Sequence, residues 1–313
     1  MKLVFCGTPI FAVPSLERLH AAGFEIQLVV TQPDRPQGRG MAMTAPPVKQ
    51  SALKLGLPVI QPEKIKKNEE FRAQLQALRP DAIIVVGYGR IIPPWMLQLP
   101  RYGNINVHAS LLPKYRGAAP IQWAIANGER ETVVTIMRID AGLDTGDMML
   151  KAATAIGPRE TAPELGRRLS QQGAELLIEG LRRIEAGTAT YEKQNDEGAT
   201  LAPILTKEDG RVRWERAATE IDNRLRGFTP WPGAFSSFRG QQLQIVRAQA
   251  DTEHTNLPPG SIVKDKRRLL VACGKGSTLE LQEVQLQGKK RVPADAFANG
   301  YAFAPGEKFG ETH

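Results

Sequence analysis

The feature that most constrains the fold is an alternation of short apolar runs with amphipathic stretches over the first 150 residues. Apolar runs that alternate with helix-like stretches and end at Gly or Pro are typical of βαβ units around a parallel sheet. The predicted strands are Lys2–Cys6, Ile26–Thr31, Asp81–Val86 and Asn104–Val107, and the predicted helices are Pro14–Ala22, Phe71–Leu78 and Ile121–Ala126. The first part of the chain is therefore predicted to be a doubly wound, mostly parallel α/β domain.

The pattern changes near residue 206. A long helix is predicted over residues 161–186, and polar residues around Gln194 follow it. Beyond them, short β-like runs dominate, which favours an OB-like β-barrel with one helix near residues 217–226. Because 313 residues exceed the usual size of one core, we expect two domains joined by a linker. Their predicted ranges are 1–189 for the α/β domain, 190–205 for the linker and 206–313 for the barrel.

The charge of the chain points to a polyanionic partner. The formal net charge is +8, and residues 206–313 contain 17 Lys and Arg against 13 Asp and Glu. In that segment Lys264, Lys266, Arg267 and Arg268 form one basic cluster, and residues 289–291 form another. From charge alone, solvated hairpin tips and a nucleic-acid contact are equally good interpretations.

The sequence contains no signal for export or for membrane insertion. The N-terminal apolar run is too short for a signal peptide, and no stretch approaches the roughly 18 apolar residues of a membrane span. We therefore expect a cytoplasmic protein without a membrane partner. Cys6 and Cys273 lie far apart and lack the spacing of metal ligands, which predicts buried thiols and no metal site.

His108 is the strongest candidate for acid–base chemistry among four histidines. It follows the strand Asn104–Val107 and stands two residues from Asn106, so the alternation of side chains places both on one face. The carboxyl end of a parallel strand opens into the crevice where α/β sheets bind ligands. The alternative is that either side chain only satisfies backbone groups of the loop.

Several further motifs lie along the chain on both sides of His108. They are Phe5–Pro9, Thr31–Pro36 with Gly38–Gly40, Ser110–Pro113, Arg116–Pro120, Asp140–Gly146 and Pro230–Pro232. Together they resemble the folate-dependent formyltransferases, most closely the branch whose acceptor is initiator methionyl-tRNA. The resemblance extends over nearly the whole chain, and its long motifs carry it, because a Gly-Thr-Pro turn alone is uninformative.

This resemblance implies an enzyme of translation initiation that moves the formyl group of 10-formyltetrahydrofolate to the methionyl amine, without a metal and as a monomer. It assigns catalysis to Asn106, His108 and Asp144, and the formylfolate site to Ser110, Leu111, Leu112 and Pro113. The candidate tRNA contacts are Arg39, Lys266, Arg267 and Arg268. One departure concerns the loop after Arg39, where Met41-Ala42-Met43 stands in place of the adjacent lysines of many family members.

Formyl transfer passes through a tetrahedral oxyanion, which requires hydrogen-bond donors and proton transfer. The Asn106 amide is suited to donate to that oxyanion, and His108 to donate or to relay the amine proton toward N10. Asp144 lies on a Gly-rich turn, where it either orients His108 or takes the proton through water, unless it is an ordinary turn residue.

Other functions remain open at the level of sequence. The acceptor could be a sugar amine or glycinamide ribonucleotide, although a basic β-rich extension disfavours the latter. The same three residues could instead hydrolyse 10-formyltetrahydrofolate, or the chain could be an inert RNA-binding module. A serine hydrolase is disfavoured, because no Gly-x-Ser-x-Gly elbow surrounds Ser110.

Overall fold

The computed structural model describes residues 1–37, 41–265 and 268–310. Strands β1 to β9 span Lys2–Gly7, Glu25–Val30, Arg35–Gln37, Ala42–Thr44, Val59–Ile60, Ala82–Val86, Asn104–His108, Glu131–Arg138 and Met148–Ala155. Helices α1 to α6 span Val13–Ala21, Pro47–Lys54, Glu69–Leu78, Pro94–Leu97, Pro120–Ala126 and Ala162–Glu185. These elements carry the predicted α/β pattern, and every predicted strand matches an observed strand within a few residues.

The main sheet has the order β5-β2-β1-β6-β7-β8-β9. The first five strands in this order, β5, β2, β1, β6 and β7, pair in parallel. Strand β8 runs antiparallel to both β7 and β9. The chain starts at β1, adds β2 and β5 on one side, and then returns to add β6 and β7 on the other. The junction of β1 and β6 is therefore the point where the strand order reverses, which is where doubly wound sheets bind ligands.

Local sequence explains how the helices between these strands begin and end. In α3 the Asn68 side chain accepts a hydrogen bond from the Phe71 amide at 3.0 Å, and Glu69 and Glu70 occupy the positive first turn. Arg79 then adopts a left-handed conformation just before Pro80, which ends the helix. Buried Phe71 and Leu75 of this helix pack on apolar side chains of the sheet.

The second part of the chain forms an antiparallel sheet with two helices. Strands β10 to β15 span Ala234–Phe238, Gln241–His254, Ile262–Asp265, Arg268–Ala272, Ser277–Leu286 and Val292–Pro293, and helices α7 and α8 span Ala218–Gly227 and Ala294–Gly300. The sheet order is β10-β11-β14-β13-β12, and β15 pairs with β14. Side chains from the strands and both helices share one buried cluster that includes Leu243, Leu281 and Phe297. The predicted fold class, an α/β domain followed by an OB-like β domain, is confirmed.

The two compact units of the chain differ from the predicted domain ranges. Residues up to Pro203 belong to the first unit, except for segments 121–130 and 156–164, which belong to the second with the residues from Ile204 onward. Segment 121–130 joins the second unit because Trp123 packs edge-on against Phe228, with ring centroids 5.2 Å apart. Segment 156–164 joins it because Arg159 pairs with buried Asp222 at 3.0 Å.

Most of the predicted linker, residues 190–203, belongs instead to the first unit. The Arg138 guanidinium lies 3.8 Å from the centroid of the Tyr191 ring. Glu192 and Met148 exchange two backbone hydrogen bonds of 2.8 and 2.9 Å. Polar composition predicts a linker here, but these backbone hydrogen bonds attach the segment to the start of the edge strand β9.

Candidate active site

Asn106 and His108 lie at the carboxyl end of β7, between parallel β6 and antiparallel β8. Asn106 is paired across the sheet with Val85 and Met137, and it is half-buried. Its side-chain amide makes no hydrogen bond with any residue that the structure describes. His108 is only 6% exposed. One unpaired amide donor and one buried imidazole therefore occupy the same strand end.

The His108 ring is held through a backbone carbonyl and faces a carboxylate. Its Nε2 lies 3.1 Å from the carbonyl oxygen of Tyr115, and its Nδ1 lies 3.7 Å from Oδ2 of Asp144. Because a carbonyl oxygen only accepts hydrogen bonds, Nε2 is the donor in this contact. The remaining ring nitrogen, Nδ1, is thus the atom available for proton exchange on the Asp144 side.

Asp144 is fixed by its backbone and by a second loop. It adopts a left-handed φ of 51°, and its Oδ2 accepts a hydrogen bond of 2.8 Å from the Gly117 amide. A Cβ on Gly117 would lie 2.6 Å from the Ala202 carbonyl oxygen, so this donor position requires glycine. Gly146 is equally constrained, since its Cβ would lie 1.9 Å from the Arg138 carbonyl oxygen. An ordinary turn aspartate would not be fixed from two sides in this way.

The neighbouring Asp140 stabilises the same turn. Its Oδ1 accepts hydrogen bonds from the Thr145 hydroxyl at 2.6 Å and from the Gly142 amide at 3.1 Å. The two carboxylates therefore differ in their surroundings: Asp140 binds groups of its own turn, whereas Asp144 faces the imidazole. This difference separates the two aspartates of the motif Asp140–Gly146.

Gln194 and Arg116 connect the two loops around His108, and sequence reasoning missed both. Gln194 Nε2 donates to the carbonyls of Asp144 and Gly146, each at 2.8 Å. Its Oε1 accepts from Nε and Nη2 of buried Arg116 at 3.0 and 2.8 Å, and Arg116 also pairs with Asp196 at 2.7 Å. Arg116 immediately follows Tyr115 and precedes Gly117, the two residues whose backbones contact His108 and Asp144. We call Arg116 and Gln194 the loop clamp.

Residues 110–113, predicted to line the formylfolate site, have different environments. The buried Ser110 hydroxyl donates to the Lys114 carbonyl at 2.7 Å, and Leu112 is buried with Met137 and Met148. Leu111 is 44% exposed. The Ser110 hydroxyl is therefore engaged within its own loop, while both ring nitrogens of His108 face other groups, which argues against a Ser-His-Asp triad.

The loops after β1, β2 and β6 meet at the point where the strand order reverses. The Tyr88 carbonyl accepts hydrogen bonds from the Thr8 hydroxyl at 3.2 Å and from Gln32 Nε2 at 3.0 Å. The Tyr88 ring and the Cys6 thiol lie in the core of this unit, and burial raises the pKa of both groups. Cys6 is thus an inert buried thiol, and the same holds for Cys273, whose pKa burial raises to about 12.

The predicted tRNA contacts are only partly described. Arg39, Lys266 and Arg267 lie outside the described residues. Arg268 pairs with Asp251 at 2.6 Å, with Asp265 at 3.0 Å and with Glu253. These carboxylates hold the pKa of the Arg268 guanidinium above its usual value and neutralise its charge within the protein.

Two further features of the described residues concern membranes and metals. Among residues 1–37, 41–265 and 268–310, no helix is long and apolar enough to cross a membrane. In the same ranges no group of three or more His, Cys, Asp or Glu side chains is placed to hold a metal ion.

Comparison with known proteins identifies the family. Residues 1–181 match the model described as "Formyl transferase", and residues 204–302 match "Formyl transferase, C-terminal domain". The chain is 61% identical to a methionyl-tRNA formyltransferase of Koribacter versatilis over 99% of both chains, and 60% identical to one of Acidobacterium capsulatum over 99% and 100%.

Solved structures share the fold at lower identity. An N-formyltransferase from Helicobacter canadensis, in complex with folinic acid and dTDP-3-aminofucose, is 20% identical with a TM-score of 0.67, covering 90% of this chain and 98% of that one. A methionyl-tRNA formyltransferase from Clostridium thermocellum is 18% identical with a TM-score of 0.57, covering 88% and 100%. By its matched domains and its full-length relatives, the chain belongs to the methionyl-tRNA formyltransferase family.

Proposed function

We propose that the chain transfers the formyl group of 10-formyltetrahydrofolate to the amino group of initiator methionyl-tRNA, with Asn106, His108 and Asp144 as its catalytic residues. The observation that carries the assignment of these residues is the contact of buried His108 with Asp144, beside the unpaired Asn106 amide at the end of β7. The full-length relatives named methionyl-tRNA formyltransferase support the acceptor. The acceptor places the activity in the cytoplasm, and the enzyme acts as a monomer.

The reaction itself requires no redox step. The methionyl amine adds to the formyl carbon, and the π electrons of the carbonyl move onto its oxygen. Asn106 Nδ2 donates a hydrogen bond to the resulting oxyanion, an interaction that is stronger in the transition state than in the ground state. The bond between carbon and N10 then breaks, N10 leaves with one proton, and the amine gives up one proton.

His108 and Asp144 handle these protons together. Nε2 of His108 is occupied by the Tyr115 carbonyl, so Nδ1 takes the amine proton and returns one to N10. Asp144 Oδ2, 3.7 Å away, places negative charge beside the imidazolium that forms. The orientation of the ring comes mainly from the Tyr115 carbonyl, which leaves to Asp144 the electrostatic role of stabilising the imidazolium.

The folate donor occupies the crevice where β1 and β6 diverge, next to the end of β7. This position follows the general rule for doubly wound sheets. The folate compounds named with solved sugar N-formyltransferases of the same fold support a folate donor. Exposed Leu111 is the member of the predicted folate-lining loop whose side chain is free to contact it.

A transfer assay with labelled donor tests this function directly. The protein is incubated with 10-formyltetrahydrofolate labelled in the formyl group and with charged initiator tRNA. We expect label on the methionyl amine. Label released as free formate would instead identify a hydrolase, and label on an added sugar amine but not on tRNA would identify a different acceptor. For the proposed monomer, we expect the molar mass measured by light scattering to equal the mass of one chain.

The loop clamp yields a further prediction. Gln194→Leu removes the hydrogen bonds to the Asp144 and Gly146 carbonyls, so the loop that places Asp144 opposite His108 is held only by its remaining contacts and Asp144 is less precisely positioned. We expect kcat to fall about tenfold with little change in KM, because small displacements in an active site are costly. Steady-state kinetics measures both constants.

Gln172→Leu is the matched control for Gln194→Leu. Gln172 is also half-buried in the first unit, but its Oε1 accepts a hydrogen bond of 2.6 Å from the Thr154 hydroxyl near the end of β9, whereas Gln194 contacts the loop that precedes β9. Its loss should leave kcat near that of the native protein. Equal losses in both variants would mean that Gln194 acts on general stability rather than on Asp144.

A further inference from the structure

A cleft in the second unit gathers guanidinium groups. Its volume is about 150 Å³, and its lining consists of Glu208, Asp209, Arg211, Arg213, Arg216 and Arg224. One water needs roughly 10–15 Å³ in the same measure, so the cleft has room for a group of phosphate size. Sequence reasoning did not single out these arginines, because they are spread through a loop and helix α7.

The acidic residues around the cleft do not neutralise all of its cations. Arg211 pairs with Glu208, and Arg216 pairs with Glu220 at 3.4 Å. Asp209 is engaged in capping, since its Oδ2 accepts from the amide and hydroxyl of Thr206, each at 2.8 Å. The other two guanidinium groups of the lining are those of Arg213 and Arg224.

Arg213 and Arg224 have no carboxylate partner within the described residues. The exposed Arg213 side chain makes no hydrogen bond or ion pair there. Arg224 instead lies over aromatic rings, 4.9 Å from the centroid of Phe228 and 5.6 Å from that of Trp123. Burial lowers the pKa of Arg224, and the positive charges of Arg216 and Arg213 lower it further, while Asp209 and Glu220 offset part of this effect. The cleft therefore holds like charges together, which an anion between them would relieve.

We propose that this cleft binds a backbone phosphate of the tRNA, with Arg213 and Arg224 as its ligands. The proposal rests on the proposed function, because it assigns a second contact to the same substrate. Guanidinium groups match phosphate oxygens with two parallel hydrogen bonds, which favours phosphate over a simple halide. Exposed Arg211 and Arg213 stand at the rim, so a phosphate that is part of a long chain can reach the cleft.

Salt dependence of tRNA binding in the Arg213→Ala variant tests the proposal. Arg213 has no partner among the residues that the structure describes, so its removal should leave the fold intact. We expect affinity for initiator tRNA at low salt to fall about fivefold to tenfold and the slope of log affinity against log salt to decrease by about one unit. The loss should appear in KM for methionyl-tRNA rather than in kcat, because a phosphate contact made equally in the ground state and the transition state contributes only to binding.

Arg247→Ala is the matched control, since Arg247 is another exposed arginine of the second unit, on β11. An equal loss in this variant would overturn the proposal in favour of a diffuse charge effect. A native slope in Arg213→Ala would overturn it as well. Inorganic phosphate is the second probe: if phosphate binds the native protein through Arg213 while the tRNA slope is unchanged, the cleft is a small-anion site only. The native protein's formyl transfer, measured in the same series, tests the proposed function separately.

Discussion

Replacing His108 by Ala is expected to lower kcat for formyl transfer by about 10²–10⁴, the usual share of a positioned acid–base group. The physical reason is that Nδ1 is the ring atom free to exchange a proton, while Nε2 is bound to the Tyr115 carbonyl. Affinity for initiator tRNA should stay close to that of the native protein, since His108 is 6% exposed and offers little surface to a macromolecule. Single-turnover rates with excess enzyme, together with a separate binding titration, measure the two effects.

A second variant distinguishes proton transfer from a structural role of His108. The side-chain amide of His108→Gln can still donate to the Tyr115 carbonyl, but it does not titrate. If proton exchange matters, the Gln variant should be as slow as the Ala variant while melting near the native temperature. Recovery of most of the native rate by Gln would show that His108 only supports the loop. His20→Ala, an exposed histidine of α1, serves as the control and should leave the rate unchanged.

Much of the α/β sheet follows from sequence because its strands are buried on both faces. The run Ala82–Val86 is entirely buried and apolar, so composition alone marks it as a central strand. Short elements carry no such signal. The hairpin Arg35–Gln37 with Ala42–Thr44 contains Pro and mostly exposed side chains, and β10 mixes Ser and Phe. Their structure depends on partners that lie elsewhere in the chain.

The site likewise contains residues that local sequence predicts and residues that only long-range contacts bring in. Asn106 and His108 share a face because they are two residues apart on one strand, which a sequence shows directly. Gln194 reaches the site from 50 residues beyond Asp144, and its contacts are to backbone carbonyls, which every residue possesses. Tyr115 also acts through its carbonyl. Backbone contacts between distant loops do not depend on which residue type makes them, so the sequence does not reveal them. The exceptions are Gly117 and Gly146, where the close approach of another backbone requires glycine.

Asn106→Ala is expected to lower kcat by about 10²–10³, the typical cost of losing one oxyanion donor. KM for both substrates should change little, because the lost hydrogen bond forms mainly in the transition state. Asn106→Asp is a sharper test, since it keeps the shape of the side chain but replaces the donor with a negative charge. It should be at least as slow as the Ala variant. A native rate in the Asp variant would show that Asn106 does not contact the oxyanion.

The same strand supplies the structural counterpart of Asn106. Asn104 is buried, and its Nδ2 donates to the carbonyls of Met96 and Leu97 at 3.1 and 3.2 Å. Asn104→Ala removes the donor to the buried Met96 carbonyl and to the partly buried Leu97 carbonyl, and a buried group left unpaired costs about 1–3 kcal/mol of stability. Its melting temperature should therefore fall while the rate of the folded fraction stays native. The opposite pattern is expected for Asn106, whose amide has no described protein partner: a slow rate at an unchanged melting temperature. Two asparagines on one face of one strand would thus separate into a packing role and a catalytic role.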